Sequence, residues 1–319
     1  MARNRGRRLA LPERAVARTL RTMNQFFQQL VNGLSIGSIY ALMAVGYSLV
    51  YSIMNFSNFA HGSVIMLGAY FGFFCLSLLG LPFALAFFVA ACGTALVAVI
   101  LERLAYKPLR DRNAPFLYFI ITAMGASIFI DNGVIATIGP TPKTFPQQLL
   151  PDFLKSGTIQ LGSLNIGKVD VAMFVVAAVC LAALVLFIDF TKMGKAIQAT
   201  AYNMKASALM GINTSFVIIL VFAIGGALAG VAGVLYGMKY QVFPQMSGIT
   251  MKSFIAAVFG GLGSLPGALL GSLLLALIET FVSGYLSTQF RDLFSFGILI
   301  AMLVIRPSGI MGKSTEDKA

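Results

Sequence analysis

Residues 55–63 read Asn55-Phe56-Ser57-Asn58-Phe59-Ala60-His61-Gly62-Ser63, a polar island between an apolar run at 28–53 and another at 62–80. Asn and Gly are poor helix-interior residues. What the island means depends on the solvent around it, and composition decides that. Of 319 residues, 58% are hydrophobic and 11% charged, and the mean hydropathy is +0.86. A soluble domain carries about 25% charged residues, so most of this exterior faces lipid. An ordinary soluble enzyme, a disordered chain and a fibrous repeat are excluded. In lipid, an interrupted helix survives only where protein or a water-filled cavity satisfies its backbone. The island is therefore either a capped interhelical turn or a broken-helix segment that lines or gates a pathway.

A spanning helix needs about 20 mainly apolar residues. Such runs fall at roughly 28–53, 62–80, 82–101, 116–138, 170–190, 215–238, 250–262, 265–286 and 291–306. The run at 250–262 is shorter than the others and ends in Gly260-Gly261-Leu262-Gly263-Ser264-Leu265-Pro266-Gly267. It reads as a re-entrant half-helix or as one arm of a broken helix. The expected fold is all-α, a polytopic membrane helical bundle of roughly eight spans with broken or re-entrant helices. A basic leader is expected at 1–22, a single transmembrane domain at 23–312 and a polar tail at 313–319.

The net charge of +12 could point to nucleic acid, but its placement points to a bilayer. Arg3, Arg5, Arg7, Arg8, Arg14, Arg18 and Arg21 crowd the leader, and the other basic residues mostly sit between apolar runs. Arg103, Lys107, Arg110 and Arg112 mark the 102–115 gap as cytoplasmic, and Lys192, Lys195 and Lys205 do the same for 191–214. Parity puts 139–169 outside, and puts the C-terminus inside if 250–262 crosses. The start of the chain is ambiguous, because three runs before the 102–115 loop place it outside whereas the leader's arginines argue for inside. Either the 53–62 stretch keeps one run from crossing fully, or Met23 is the true start. Arg7-Arg8 resembles a twin-arginine export signal only slightly, since Pro12, Glu13 and Arg14 interrupt the apolar stretch that should follow. A flexible basic tail near anionic lipid is the plainer account.

Motifs for covalent chemistry are wanting. Cys75, Cys92 and Cys180 all lie in apolar runs and form no disulfide framework, and His61 is the sole histidine, which excludes a multi-histidine metal site. Gly312-Lys313-Ser314 resembles the end of a phosphate-binding loop, but Pro307 stands where its leading glycine belongs. No catalytic residue, cofactor or metal is expected, nor any means of hydrolysing ATP. Asp131 and Glu279 lie inside apolar runs and Asp189 at a run's end. With no obvious basic partner in sequence, the first two read as helix–helix hydrogen bonders more readily than as coupling-ion sites. Small residues four apart, at Gly33 and Gly37, Gly226 and Gly230, Gly233 and Gly237, and Gly263, Gly267 and Gly271, predict close helix packing.

The 193–213 loop is Ala-rich and helical in pattern, with Ile197, Ala201, Met204, Ala208 and Ile212 on roughly one face. A small-residue face inside the cell suits docking into a groove on another protein, or lying on the membrane.

Four blocks together resemble the permease subunits of bacterial branched-chain amino-acid ABC importers, of the LivH type. They are Asn32-Gly33-Leu34 through Tyr40-Ala41-Leu42, Asn58-Phe59-Ala60-His61-Gly62, Gly194 through Gly211-Ile212-Asn213, and Gly260 through Gly267-Ala268. The resemblance implies a multi-pass subunit of the inner membrane, surrounded by lipid. Its implied partners are a second related permease, two cytoplasmic ATP-binding subunits and a periplasmic substrate-binding protein, with a small-molecule substrate and no nucleic acid. It implies an ATPase-coupling loop carrying Gly194, Ala196, Ala199, Ala206, Gly211 and Asn213. It also implies helix breaks near a translocation pathway, at Asn55, Asn58, His61 and Gly62 and at Gly260, Gly261, Gly263, Pro266 and Gly267. The substrate would be a branched-chain amino acid, with urea or a short amide as the alternative within the same family. An ion-coupled transporter acting alone is the rival from another class. Two departures stand out: Ser63 replaces an acidic residue common in the family after the His-Gly pair, and none occurs near Tyr202 or Asn203.

Overall fold

A computed structural model describes residues 11–152, 154–155, 157–162 and 164–312, without the side chains of 11–21 and of Leu161. The first ten residues of the basic leader and the tail at 313–319 lie outside it. In chain order the elements are α1 (Leu11–Met54), α2 (His61–Ser77) and α3 (Phe83–Leu101), then a π-helical turn (Glu102–Tyr106) leading into α4 (Lys107–Asp111). Helix α5 (Phe116–Ile138) is followed by a hairpin of β1 (Thr158–Leu161) and β2 (Leu164–Gly167), paired antiparallel, then by α6 (Lys168–Phe190). Next come α7 (Lys192–Tyr202), α8 (Met204–Leu209) and α9 (Thr214–Lys239). A 3-10 turn (Pro244–Ile249) precedes α10 (Thr250–Gly260), and α11 (Leu265–Tyr285) and α12 (Arg291–Ile305) close the bundle. Seven helices are long and apolar enough to cross a membrane, and α2 is a shorter apolar one. The chain is thus a polytopic helical bundle.

Side-chain neighbours show how the helices run. Helix α1 is antiparallel to α11, with Gln29 against Gly284, Gly33 against Leu277, Gly37 against Leu273, and Ser48 bonded to the amide of Gly263. The outer end of α1 is tied to the hairpin, where Gln28 and the backbone of Asn165 exchange two hydrogen bonds of 2.8 and 3.0 Å. The other end of the bundle carries α7, α8 and the 102–115 loop. These hold the basic loop residues and mark the cytoplasmic side.

Two helices are broken in related ways. Residues 55–60 leave the inner end of α1 without helical structure, and α2 starts at His61, beside Met43 and Gly46. That is about three turns back from where α1 ends. Non-helical chain therefore crosses the inner half and α2 the outer half. Beyond α9 the relation inverts: residues 240–249 descend from the outer face, and α10 starts at Thr250, against Gly62, and covers the inner half. Helices α2 and α3 pack on α9 as α10 and α11 pack on α1, so the halves are inverted copies about the α1–α9 crossing.

This path answers two questions left by the sequence. The 250–262 run is a half-helix, completed across the membrane by the segment before it. The 53–62 stretch does not stop its run from crossing, because extended chain and α2 share the distance. Helix α1 consequently begins on the hairpin's face, contrary to what the leader's arginines suggest. The glycine pairs are packing contacts: Gly226 and Gly230 meet α3, Gly233 meets the Ile65 carbonyl, and Gly271 meets the Ala256 carbonyl. With Cys75, Cys92 and Cys180 replaced, a membrane-impermeant thiol reagent on intact cells should label Gln25→Cys and Gln160→Cys, and should label Leu209→Cys only after permeabilisation.

Candidate functional site

The site grows from the place where the two breaks meet. A Cβ at Gly62 would lie 1.7 Å from Thr250 Oγ1 and 2.1 Å from the Ser247 carbonyl, so only glycine lets the start of α2 touch the start of α10. Asp131, from α5, accepts hydrogen bonds from Ser63 and Ser247, each 2.7 Å, and so joins both breaks to one neighbouring helix. An acid at position 63 would repel Asp131, and the serine found there suits that neighbour.

The predicted pathway residues divide between surface and interior. Asn55 is exposed and has a positive φ of 52° where α1 stops. Asn58 is buried, and its side-chain oxygen accepts from the Ala60 amide (3.2 Å) and from the Tyr106 hydroxyl (2.7 Å). Tyr106 in turn lies against Phe56 and Phe222, so an aromatic cluster closes the cytoplasmic side of the break. His61 is buried and donates from Nε2 to the Met43 carbonyl at 3.1 Å. The glycine-rich stretch expected as the other break is instead the tight turn joining α10 to α11, near the inner end of α1: Gly260 and Gly267 are in backbone contact, Gly261 and Gly263 have positive φ, and Pro266 lies in the first turn of α11, which Ser264 caps. The last carbonyls of α10, on Phe259 and Gly260, accept from Ile310 and Met311, so the far end of the described chain caps the half-helix.

Glu279 anchors a second polar network, and its partners were missed in the sequence. The carboxylate is fully buried and accepts from Lys252 (2.6 Å), Arg291 Nε (2.7 Å), the Tyr40 hydroxyl (3.0 Å) and the Ser295 hydroxyl. Lys252 also reaches Asp292 at 2.7 Å. Helices α1, α10, α11 and α12 are therefore joined through one carboxylate. Lys252 is the third residue of the 250–262 run and Arg291 the first of the last run, so both signals lay at run edges. Near the outer face, Asp170 of α6 similarly accepts from Ser35 and Lys239, at 2.7 and 2.5 Å.

The 191–214 loop is two helices, α7 and α8, separated at Asn203, whose side chain caps α8 by accepting from the Ala206 amide. Asn213 caps α9 in the same way. The periodic apolar face is mostly turned inward: Ile197 is buried, Ala201, Met204 and Ile212 are partly covered, and Ala208 alone of the five is exposed. Gly194 is buried against the end of α6, Ala196 is half-buried, and Ala199, Ala206 and Gly211 are exposed. What projects is Tyr202, Leu209 and Met210, 70%, 89% and 83% exposed.

These features define the class: a multi-pass integral membrane protein of inverted, broken-helix halves with a helical cap on its basic face. Residues 29–303 match the family described as branched-chain amino acid transport system / permease component, and the chain belongs to that family. It is 41% identical over 303 residues to the high-affinity branched-chain amino acid transport system permease protein BraD of Pseudomonas aeruginosa, covering 92% of this chain and 98% of that one. To the corresponding LivH protein of Escherichia coli it is 39% identical, over 92% and 97% of the two chains. The probable branched-chain amino acid transport permease protein LivH of Methanocaldococcus jannaschii is 30% identical over 86% and 89%.

Truncating this saturated buried carboxylate leaves Arg291 without its ion-pair partner and Lys252 with Asp292 alone. Glu279→Ala should therefore destabilise the purified protein by about 3–5 kcal/mol in a denaturation series. Tyr40→Phe, which removes one of four donors, should cost about 1 kcal/mol.

Proposed function

We propose that the chain is the permease subunit of an ATP-binding-cassette importer that moves branched-chain amino acids across the bacterial inner membrane. It catalyses no covalent chemistry in this reading. Two cytoplasmic ATP-binding subunits hydrolyse the nucleotide, a second related permease completes the pore, and a periplasmic binding protein delivers substrate. The observation that carries the reading is the cap of α7 and α8, which exposes Tyr202, Leu209 and Met210 on the basic face and rests on α6, α1 and α9. Large exposed apolar side chains beyond a membrane span mark a contact surface. The relatives' names supply the substrate class.

Transport is then alternating access. Nucleotide-driven closure of the ATPases moves the cap, the cap moves α1 and α9, and the breaks at Asn55–Gly62 and at 240–249, with the Gly260–Gly267 turn that ends α10, change their opening to either side. The ion-coupled reading has less support, because Glu279 is neutralised by Lys252 and Arg291 and both oxygens of Asp131 are engaged by serines.

In proteoliposomes holding the assembled importer and its binding protein, leucine uptake should require ATP. Leu209→Asp should leave the protein inserted while abolishing both uptake and stimulation of ATP hydrolysis by the loaded binding protein. Uptake that persists without any ATPase subunit refutes the reading, and ATP-driven uptake of urea in place of leucine reassigns the substrate.

A further inference from the structure

A cavity of about 360 Å³ opens beside the Glu279 network and is lined by both sides of the second break. Phe243, Met246 and Ile249 form an apolar wall, and Lys252, Arg291 and Asp292 form a charged floor. It opens toward the outer face, since Phe243 follows the Val242–Lys143 bridge to the outer segment and Thr288 belongs to the turn joining α11 to α12. The volume is within the range of small-ligand sites, and the lining sets a modest apolar patch against convergent polar groups that can fix a ligand's orientation.

The floor's chemistry selects the ligand. Lys252 and Arg291 balance Glu279 and Asp292, so the cluster carries no net charge. A bare anion or cation would add an uncompensated charge at membrane depth, whereas a zwitterion adds none. The groups left over match a zwitterion's two ends. Arg291 spends Nε on Glu279 and Nη2 on Tyr40, and its Nη1 makes no hydrogen bond among the described residues. Asp292 gives Oδ1 to Lys252, leaves Oδ2 uncommitted, and its side chain is 72% exposed. That degree of exposure excludes hydrocarbon as its surroundings.

We propose that this cavity is a binding site for an α-amino acid at the outer mouth of the bundle, the α-carboxylate on Arg291 Nη1, the α-ammonium on Asp292 and an aliphatic side chain against Phe243, Met246 and Ile249. The proposal rests on the amino-acid permease reading and gives it a site. Because Arg291 and Lys252 also hold Glu279, a ligand here touches the charges that join α10 to α1, α11 and α12.

The test uses the importer assembled with its partner subunits in proteoliposomes, without the binding protein and with the native cysteines replaced. Thr288→Cys, at the cavity mouth, is modified by a charged thiol reagent. Leucine at ten times its half-protecting concentration should slow modification about tenfold. Leucinamide, which lacks the carboxylate, and 4-methylpentanoate, which lacks the ammonium, should not, and adding Asp292→Asn should remove the protection by leucine. Should Thr288→Cys fail to assemble, Gln245→Cys on the opposite rim serves the same purpose. Modification unchanged by leucine, or slowed equally by all three compounds, overturns the proposal. If the same preparation still takes up leucine when binding protein and ATP are supplied, only this site is lost; if it takes up no amino acid, the permease reading falls as well.

Discussion

A helix that stops partway across a bilayer leaves backbone N–H and C=O groups facing hydrocarbon, where each unpaired group costs several kcal/mol. This chain starts two helices there, α2 at His61 and α10 at Thr250, and much of its packing answers that constraint. The two starts are placed against each other, so that the start of α2 and the start of α10 are covered by protein. Gly62 permits the contact, and Asn58 supplies an oxygen to the Ala60 amide beside the first start. Ile310 and Met311 return from beyond α12 to satisfy the end of the second half-helix. Asp131 then fixes the relative position of the two starts by accepting from a serine at each.

Much of this was legible in the sequence because lipid makes composition diagnostic. The apolar runs became helices and the polar island at 55–60 became one break, whereas the glycine-rich stretch at 260–267 became the turn between α10 and α11 and the other break fell at 240–249, where no reading of the sequence had placed one. Their inverted relation was not legible, since the half-repeats share geometry without a shared motif: Asn58-Phe59-Ala60-His61-Gly62 corresponds in space to a turn that reads Pro244-Gln245-Met246-Ser247-Gly248. The direction of α1 was obscured for a different reason. Charge counting weighs the leader, but the decisive contact is neutral, an amide side chain on α1 paired with the hairpin backbone at Asn165.

The ion pairs and the cap show where periodicity stops being informative. Glu279 lacked an obvious partner because Lys252 and Arg291 are not on its own helix and meet it only once α10, α11 and α12 are packed. In the cap, Ile197, Met204 and Ile212 keep helical spacing in the sequence although they fall on α7, on α8 and on the turn after it, and such spacing says that one face is covered without saying by what. Here the covering comes largely from the protein's own bundle, and the side chains left over at Tyr202, Leu209 and Met210 break the pattern that drew attention to the loop.

The crossing of α1 and α9 sets what movement at the cap can accomplish. Gly46 and Gly225 meet there with a position for Cβ only 3.1 to 3.2 Å from the opposing carbonyl oxygens, so the two longest helices touch almost backbone to backbone. Such a contact resists being pulled apart or compressed, and with glycine on both helices less side-chain interlocking opposes a change of angle than at a crossing of larger residues. Helix α7 lies against both helices on the cytoplasmic side. A displacement there acts on α1 and α9 at one end, with the glycine crossing as the fixed point. In the proposed cycle their outer ends would move in the opposite sense, carrying Tyr40 and Tyr236 relative to the charged cavity floor. Exchange of accessibility between the faces, as proposed, requires such an opposed motion, and the close Gly46–Gly225 approach is the contact about which it would turn.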